Sequence, residues 1–139
     1  MRIQAIHPDF IMPTKGSDEA GAFDIYMNES GYVGGNSEII PLGFAAEVPK
    51  GHVALLLPRS GVGSKHGVEL NNTMGVIDSD YRGEWKAAVR TKNGDNYHWL
   101  KHDRVIQFMV VPIAQVKLEL VASLTDTERG VGGFGSSGS

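Results

Sequence analysis

Turn signals recur so closely along this 139-residue chain that no long element can form. Gly, Pro, Asn, Asp and Ser gather at residues 13–19, 31–37, 49–51, 58–61, 71–74, 78–83 and 93–96. Pro removes a backbone donor and Gly adopts turn conformations that other residues avoid, so such clusters end both helices and strands. The eighteen glycines are many for this length. What lies between the turns has the length of a strand. The spacing predicts that residues 1–12 form a first strand. A second spans 20–27, with Phe23, Ile25 and Met27 on one face and Asp24 and Tyr26 on the other. Residues 31–37 read as a Gly-rich turn and 39–48 as one extended segment. Val53 to Leu57 is a buried strand ended by Pro58. Val68 to Leu70 and Gly75 to Ile77 read as hairpin arms around 71–74, forming a narrow slot. A second hairpin links the second arm to a strand at 85–89. Asn93-Gly94-Asp95 marks a third, returning along 97–100. Residues 104–113 form the most apolar run, and 116–121 alternates with Lys117 and Glu119 outward. Val62 to His66, stopped by Gly67, is the one plausible helical turn. The expectation is a single all-β domain with at most one short helix, large enough to bury a core.

Chemistry concentrates in GVIDSDYRGEW, residues 75–85. Asp78 stands where a strand meets a polar turn. A carboxylate there is held rigidly yet reaches a ligand, and Tyr81 can wall the same pocket; an ordinary solvated turn has the same composition. Arg59, Ser60 and Gly61 put a cation, a hydroxyl and bare amides after a strand. They suit an anion if a helix starts there, or form a Pro-initiated turn with a surface Arg. Asp24 reads as a buried structural acid or an outer-shell metal contact. Gln107, inside an apolar run, needs hydrogen-bond partners, from backbone or ligand. His98 and His102 read as surface residues. The tail, RGVGGFGSSGS, has almost nothing to bury. Its G-x-G-x-x-G match, at Gly130, Gly132 and Gly135, lacks the following helix of a dinucleotide fold. Arg129 and Phe134 spaced through glycines instead suit a clamp that holds phosphates and stacks on a base.

A net charge of −3 argues against binding a nucleic-acid backbone but permits a small anion held by a few arginines. With no cysteine, disulfides and thiolate metal sites are excluded, and the cytosol is favoured weakly. The first residues lack a signal-peptide core, and no apolar run is long enough to span a membrane.

Five stretches in order, AGAFDIY, PRSGVGSKHG, NTMGVIDSDYRGE, RVIQF and RGVGGFGSSG, resemble the motifs of the trimeric dUTPase family. The resemblance covers nearly the whole chain. It implies an antiparallel jelly-roll-like β-barrel over residues 1–128, with a flexible arm, 129–139, closing over a neighbour's site in a homotrimer. It implies hydrolysis of dUTP to dUMP and pyrophosphate, which limits uracil in DNA and supplies dUMP for thymidylate synthesis, in the cytoplasm. Asp78 matches the base that activates water, Tyr81 the ring against the deoxyribose, and Asn72 with the main chain at Gly75 and Val76 the uracil-reading groups. Arg59, Ser60, Gly61 and Gln107 match phosphate contacts, and Arg104 a motif position of structural or binding character. Arg129, Phe134, Gly135, Ser136 and Ser137 match the arm. Asp24 matches an acid that touches Mg2+ through water, the ion being held mainly by the triphosphate. The chain departs from the pattern at Ala22, Phe23 and Ser137, and at His102, where Gly often precedes the Asp-Arg pair. A dCTP deaminase-like enzyme and a non-catalytic, nucleotide-dependent regulator are the other classes that share such a fold.

Overall fold

A computed structural model describes residues 1–133. The arm positions Phe134, Gly135, Ser136 and Ser137 lie outside the described residues. The short apolar runs become strands β1 (Arg2–Ala5), β2 (Phe23–Tyr26), β3 (Gly31–Val33), β4 (Glu38–Pro41), β5 (Phe44–Glu47) and β6 (His52–Pro58). Helix α1 (Ser60–His66) precedes β7 (Val68–Leu70), β8 (Gly75–Ile77), β9 (Lys86–Thr91), β10 (Tyr97–Trp99) and β11 (Arg104–Pro112). The architecture is the all-β, jelly-roll-like one expected, with a single short helix among the described residues. That helix ends as its sequence dictates: Gly67, at φ 66°, donates its N–H to the Gly63 carbonyl.

Strand β6 is the axis of the main sheet, whose order is β2-β11-β6-β8. It pairs along its full length with β11, from Pro58 opposite Ile106 to His52 opposite Pro112. Its other edge takes β8, with Leu56 opposite Gly75 and Ala54 opposite Ile77. A second sheet has the order β4-β9-β7, and β1-β5 and β3-β10 form two further pairs. All pairings are antiparallel. The core is aromatic at its centre. Phe44, Trp85 and Phe108 are almost wholly buried, with Trp85 edge-on to Phe108 at 5.3 Å and 5.0 Å from Phe44. Such pairs add about 0.5–1.5 kcal/mol each beyond the area they bury.

Several expectations need correction. Of the first strand expected over 1–12, only Arg2–Ala5 finds a partner, β5, and residues 31–33 form β3 instead of belonging to the turn. The segment 39–48 is broken into β4 and β5 by Gly43, at φ 76°, where a side chain would also collide with Asn28. The arms around 71–74 do not pair as a hairpin: β7 joins β9 and β8 joins β6, with only a Leu70–Thr73 bridge between them. Nor do β8 and β9 pair across 78–85, since they belong to different sheets. The Asn93–Asp95 turn forms, with Gly94 at φ 79°, but β10 leaves β9 and pairs with β3. Finally, 116–121 is not a strand. Val116, Leu118 and Leu120 are 75%, 90% and 101% exposed. An alternating segment becomes a strand only against an edge, and among the described residues 116–121 pairs with none.

Candidate functional site

The first group of predicted residues assembles around Asp24. Its side chain is 11% exposed, and each oxygen accepts from an arginine: Oδ1 from Arg59 Nε at 2.8 Å and Oδ2 from Arg104 Nη1 at 3.3 Å. Arg59 Nη1 also donates to the Arg104 carbonyl at 3.3 Å. Gln107 lies opposite Asp24 on β11, and its Nε2 donates to the Pro58 carbonyl at 3.0 Å. That backbone bond is one of the two readings open for Gln107, and it leaves the amide oxygen unspent.

A β-bulge makes the group possible. Side chains three apart on a regular strand point to opposite faces. Arg104 pairs with Tyr26 and Ile106 with Ile25, so Val105 is an extra residue in the ladder. Val105 and Ile106 are consecutive, yet both are fully buried. The bulge therefore brings Arg104 to the face that holds Gln107 and Asp24. The Val105 carbonyl accepts from Arg59 N–H at 3.0 Å, tying the arginine's backbone to the same feature. Ser60 and Gly61 follow as the first, exposed residues of α1, with no acidic side chain in its first turn. One carboxylate between two guanidiniums leaves a net charge of +1 (2 − 1), a surplus suited to an anion.

The second group sits at the other end of β6. Asp78 is exposed and follows Ile77, which pairs with Ala54. With Val76, Ile77, Tyr81, Glu84 and Lys86 it lines a cleft of about 180 Å³. The Asp78 carbonyl accepts from Tyr81 N–H at 3.2 Å, closing the turn. Arg82 braces that turn, donating from Nη1 to the carbonyls of Ser79 at 2.8 Å and Tyr81 at 3.1 Å. The Tyr81 hydroxyl donates to the Glu84 carbonyl at 3.2 Å, and Glu84 accepts in turn from Gly43 N–H. Sequence reasoning passed over Arg82 and Glu84, although both stand beside Tyr81 in the motif.

Asn72 is exposed in the loop before β8. Its carbonyl accepts from Met74 N–H at 2.8 Å across Thr73, whose φ is 70°. A positive-φ γ-turn centred on a β-branched residue is strained, and such strain gathers at ligand clamps. Gly75 lets β8 lie close on Leu56, whose Cβ would be 3.0 Å from an added side chain. Val76 beside it is exposed. Arg129 touches neither group; its Nε donates to the Gly132 carbonyl at 3.0 Å.

The two groups do not meet within one chain. Five residues separate Ala54 from Arg59 along the strand, about 17 Å at the rise of extended backbone. A third cluster, His7, Asp9 and Glu29, has ligand atoms within 4.8 Å of one another but fits a metal poorly. His7 Nδ1 accepts from Asp9 N–H, which leaves the ring proton on the nitrogen that faces Glu29. Asp9 is bound to Lys101 at 2.8 Å, and the hydrogen bond from that ammonium holds its carboxyl below the usual range.

The family model for dUTPase matches residues 8–138. A deoxyuridine 5'-triphosphate nucleotidohydrolase from Nautilia profundicola is 36% identical over 139 residues, covering 99% of this chain and 98% of that protein. One from Gamma-proteobacterium EBAC31A08 is 43% identical over 105 residues, 75% of this chain and 76% of that protein. The solved dUTPase of Staphylococcus bacteriophage 80alpha, bound to dUpNHpp, shares the fold at TM-score 0.89 and 24% identity, covering 99% of this chain and 98% of that one. A dUTPase variant from phage phi11, described as coordinating a structural Mg(II) ion, superposes at TM-score 0.78 and 22% identity, over 88% of this chain and 96% of that one.

Proposed function

The chain belongs to the dUTPase family, and we propose that it works as a homotrimer in which the Asp24 group of one copy and the Asp78 turn of another form each site. It hydrolyses dUTP to dUMP and pyrophosphate. One observation carries the assembly: the acid and the cations lie at opposite ends of β6. The cleft of about 180 Å³ at Asp78 is also below the roughly 300–1,000 Å³ of ordinary ligand pockets, and a second copy walling it would complete a pocket of that size. The uncovered apolar residues of 116–124 supply a reason for copies to associate.

In this reading the uracil edge meets the main chain of Gly75 and Val76 and the amide of Asn72, where hydrogen-bonded readout rejects cytosine. Tyr81 lies against the deoxyribose. Arg59, Ser60, Gly61 and Gln107 hold phosphate oxygens, Arg104 holds Asp24, and Arg129, Phe134, Gly135, Ser136 and Ser137 cover the site from a neighbouring copy. Asp78 takes a proton from the water that attacks the α-phosphorus. Charge then develops on the phosphate oxygens beside the guanidiniums, which are already fixed by Asp24 and need little reorganisation.

Magnesium fits this group in one manner. Both Asp24 oxygens already accept from arginines, so a contact through water is the kind left to them. A surplus of one positive charge suits a metal that arrives on the triphosphate. Bound there, it would supply neutralisation of phosphate charge and polarisation of the phosphate oxygens.

Pyrophosphate release by Asp78→Asn tests the base. A loss of about 10²–10⁴-fold is expected for a general base, and near-parent turnover in a folded protein overturns the assignment. Turnover of dUTP, dCTP, dTTP and UTP by the parent, with product analysis, separates the triphosphatase from a deaminase and from a silent binder. The proposed activity places the protein in the cytoplasm, where nucleotide pools are kept.

A further inference from the structure

We propose that Gly83 and the carbonyl of Glu84 form a seat that holds the Tyr81 ring, and that this seat sets how strongly the site prefers deoxyribose over ribose. The inference rests on the reading of Tyr81 as the wall against the sugar.

Tyr81 is 44% exposed, so core packing does not fix its ring. Two local features do. Its hydroxyl donates to the Glu84 carbonyl at 3.2 Å. Its ring then lies over Gly83, so close that a Cβ built there would sit 2.6 Å from Cζ and 3.1 Å from Cε2, and against the hydroxyl oxygen itself. Real Cβ atoms do not approach so near. Gly83 is also absent from the residues with positive φ, so its backbone suits any L-residue. The glycine is required here by the tyrosine above it and by nothing in its own conformation.

This separates selectivity from folding. The atoms that an alanine at 83 would meet are the far end of a half-exposed side chain, which can swing away at small cost. The turn has independent supports: Arg82 on the carbonyls of Ser79 and Tyr81, and Glu84 on Gly43 N–H. Gly83→Ala is therefore expected to leave the turn in place and evict the ring from its seat. A wall that excludes one added hydroxyl by shape discriminates by about 10²-fold, and the value depends on the wall's position to within a fraction of an ångström.

The test compares kcat/KM for dUTP and for UTP in the parent, Gly83→Ala, Tyr81→Ala and the double variant, with thermal unfolding as the control for folding. The dUTP-to-UTP ratio is expected to fall about ten-fold or more in Gly83→Ala, and the double variant to show no further fall beyond Tyr81→Ala. A general disturbance of the turn would lower both substrates together through Asp78 and leave the ratio alone. If Tyr81→Ala loses the ratio and Gly83→Ala keeps it, the seat is overturned while the wall stands. If neither variant changes the ratio, the wall falls and the seat with it. Should Gly83→Ala fail to unfold cooperatively, Tyr81→Phe carries the test. It keeps the ring and removes the bond to Glu84; a partial fall in the ratio supports the seat, and a parent-like ratio overturns it.

Discussion

His102 holds a backbone conformation that its side chain disfavours. Its φ is 69°, and its N–H donates to the Met27 carbonyl at 2.7 Å, so the turn into β11 fixes the residue there. The motif pattern that the sequence resembles often has Gly at this place, and the left-handed φ supplies a physical reason for one. An L-residue in that region costs roughly 1–2 kcal/mol, part of which Gly returns through the greater freedom of its unfolded chain. His102→Gly is therefore expected to stabilise the fold by about 0.5–1 kcal/mol, measured as a shift in urea midpoint at unchanged slope. Reading the sequence exposed this departure but not its cost, because the sign of φ follows from where the chain must go next. Asp24 shows the same boundary. Strand periodicity puts it on the face opposite Phe23 and Ile25. The arginines that engage it come from positions 59 and 104, which only the fold brings near.

At the level of elements, strand positions were legible and strand partners were not. A run such as Val53 to Leu57 before Pro58 can hardly be other than a strand. Whether β8 closes on β7, β9 or β6 depends on which edge lies free when the chain arrives. The γ-turn at Thr73 sends β7 and β8 into different sheets, although adjacent strands with a polar link usually form a hairpin. The bulge at Val105 was illegible for a related reason: R-V-I-Q carries no Gly to mark it. Among the described residues, those after Pro112 supply no member of the core, and Val131 is fully exposed. Truncation after Glu128 is thus expected to leave the thermal unfolding midpoint within a degree or two. Activity toward dUTP should drop by at least the worth of one base stack, about 1–3 kcal/mol or 5- to 150-fold. Loss of folding instead would make the arm a structural element.

For the molecule as a whole, the separation of Arg59 from Asp78 makes a genetic prediction. On the proposed assembly, Arg59→Ala and Asp78→Asn damage different halves of a site. Each variant alone is expected to lose most of its activity. Unfolded together and reassembled in equal amounts, they pair an intact Arg59 with an intact Asp78 in about a quarter of sites, given random mixing of closed oligomers. Recovery of roughly that share of parent turnover is expected, and none at all would place both residues in one chain's site. The length of β6 has a further consequence. On that assembly it holds the reacting parts of one chain too far apart to act on a common phosphate, so a lone folded copy would be half of two catalysts and the whole of none. Its competence would then be a property of concentration: diluted below its own assembly constant, the enzyme is expected to shut off by mass action with every residue in place and no inhibitor present.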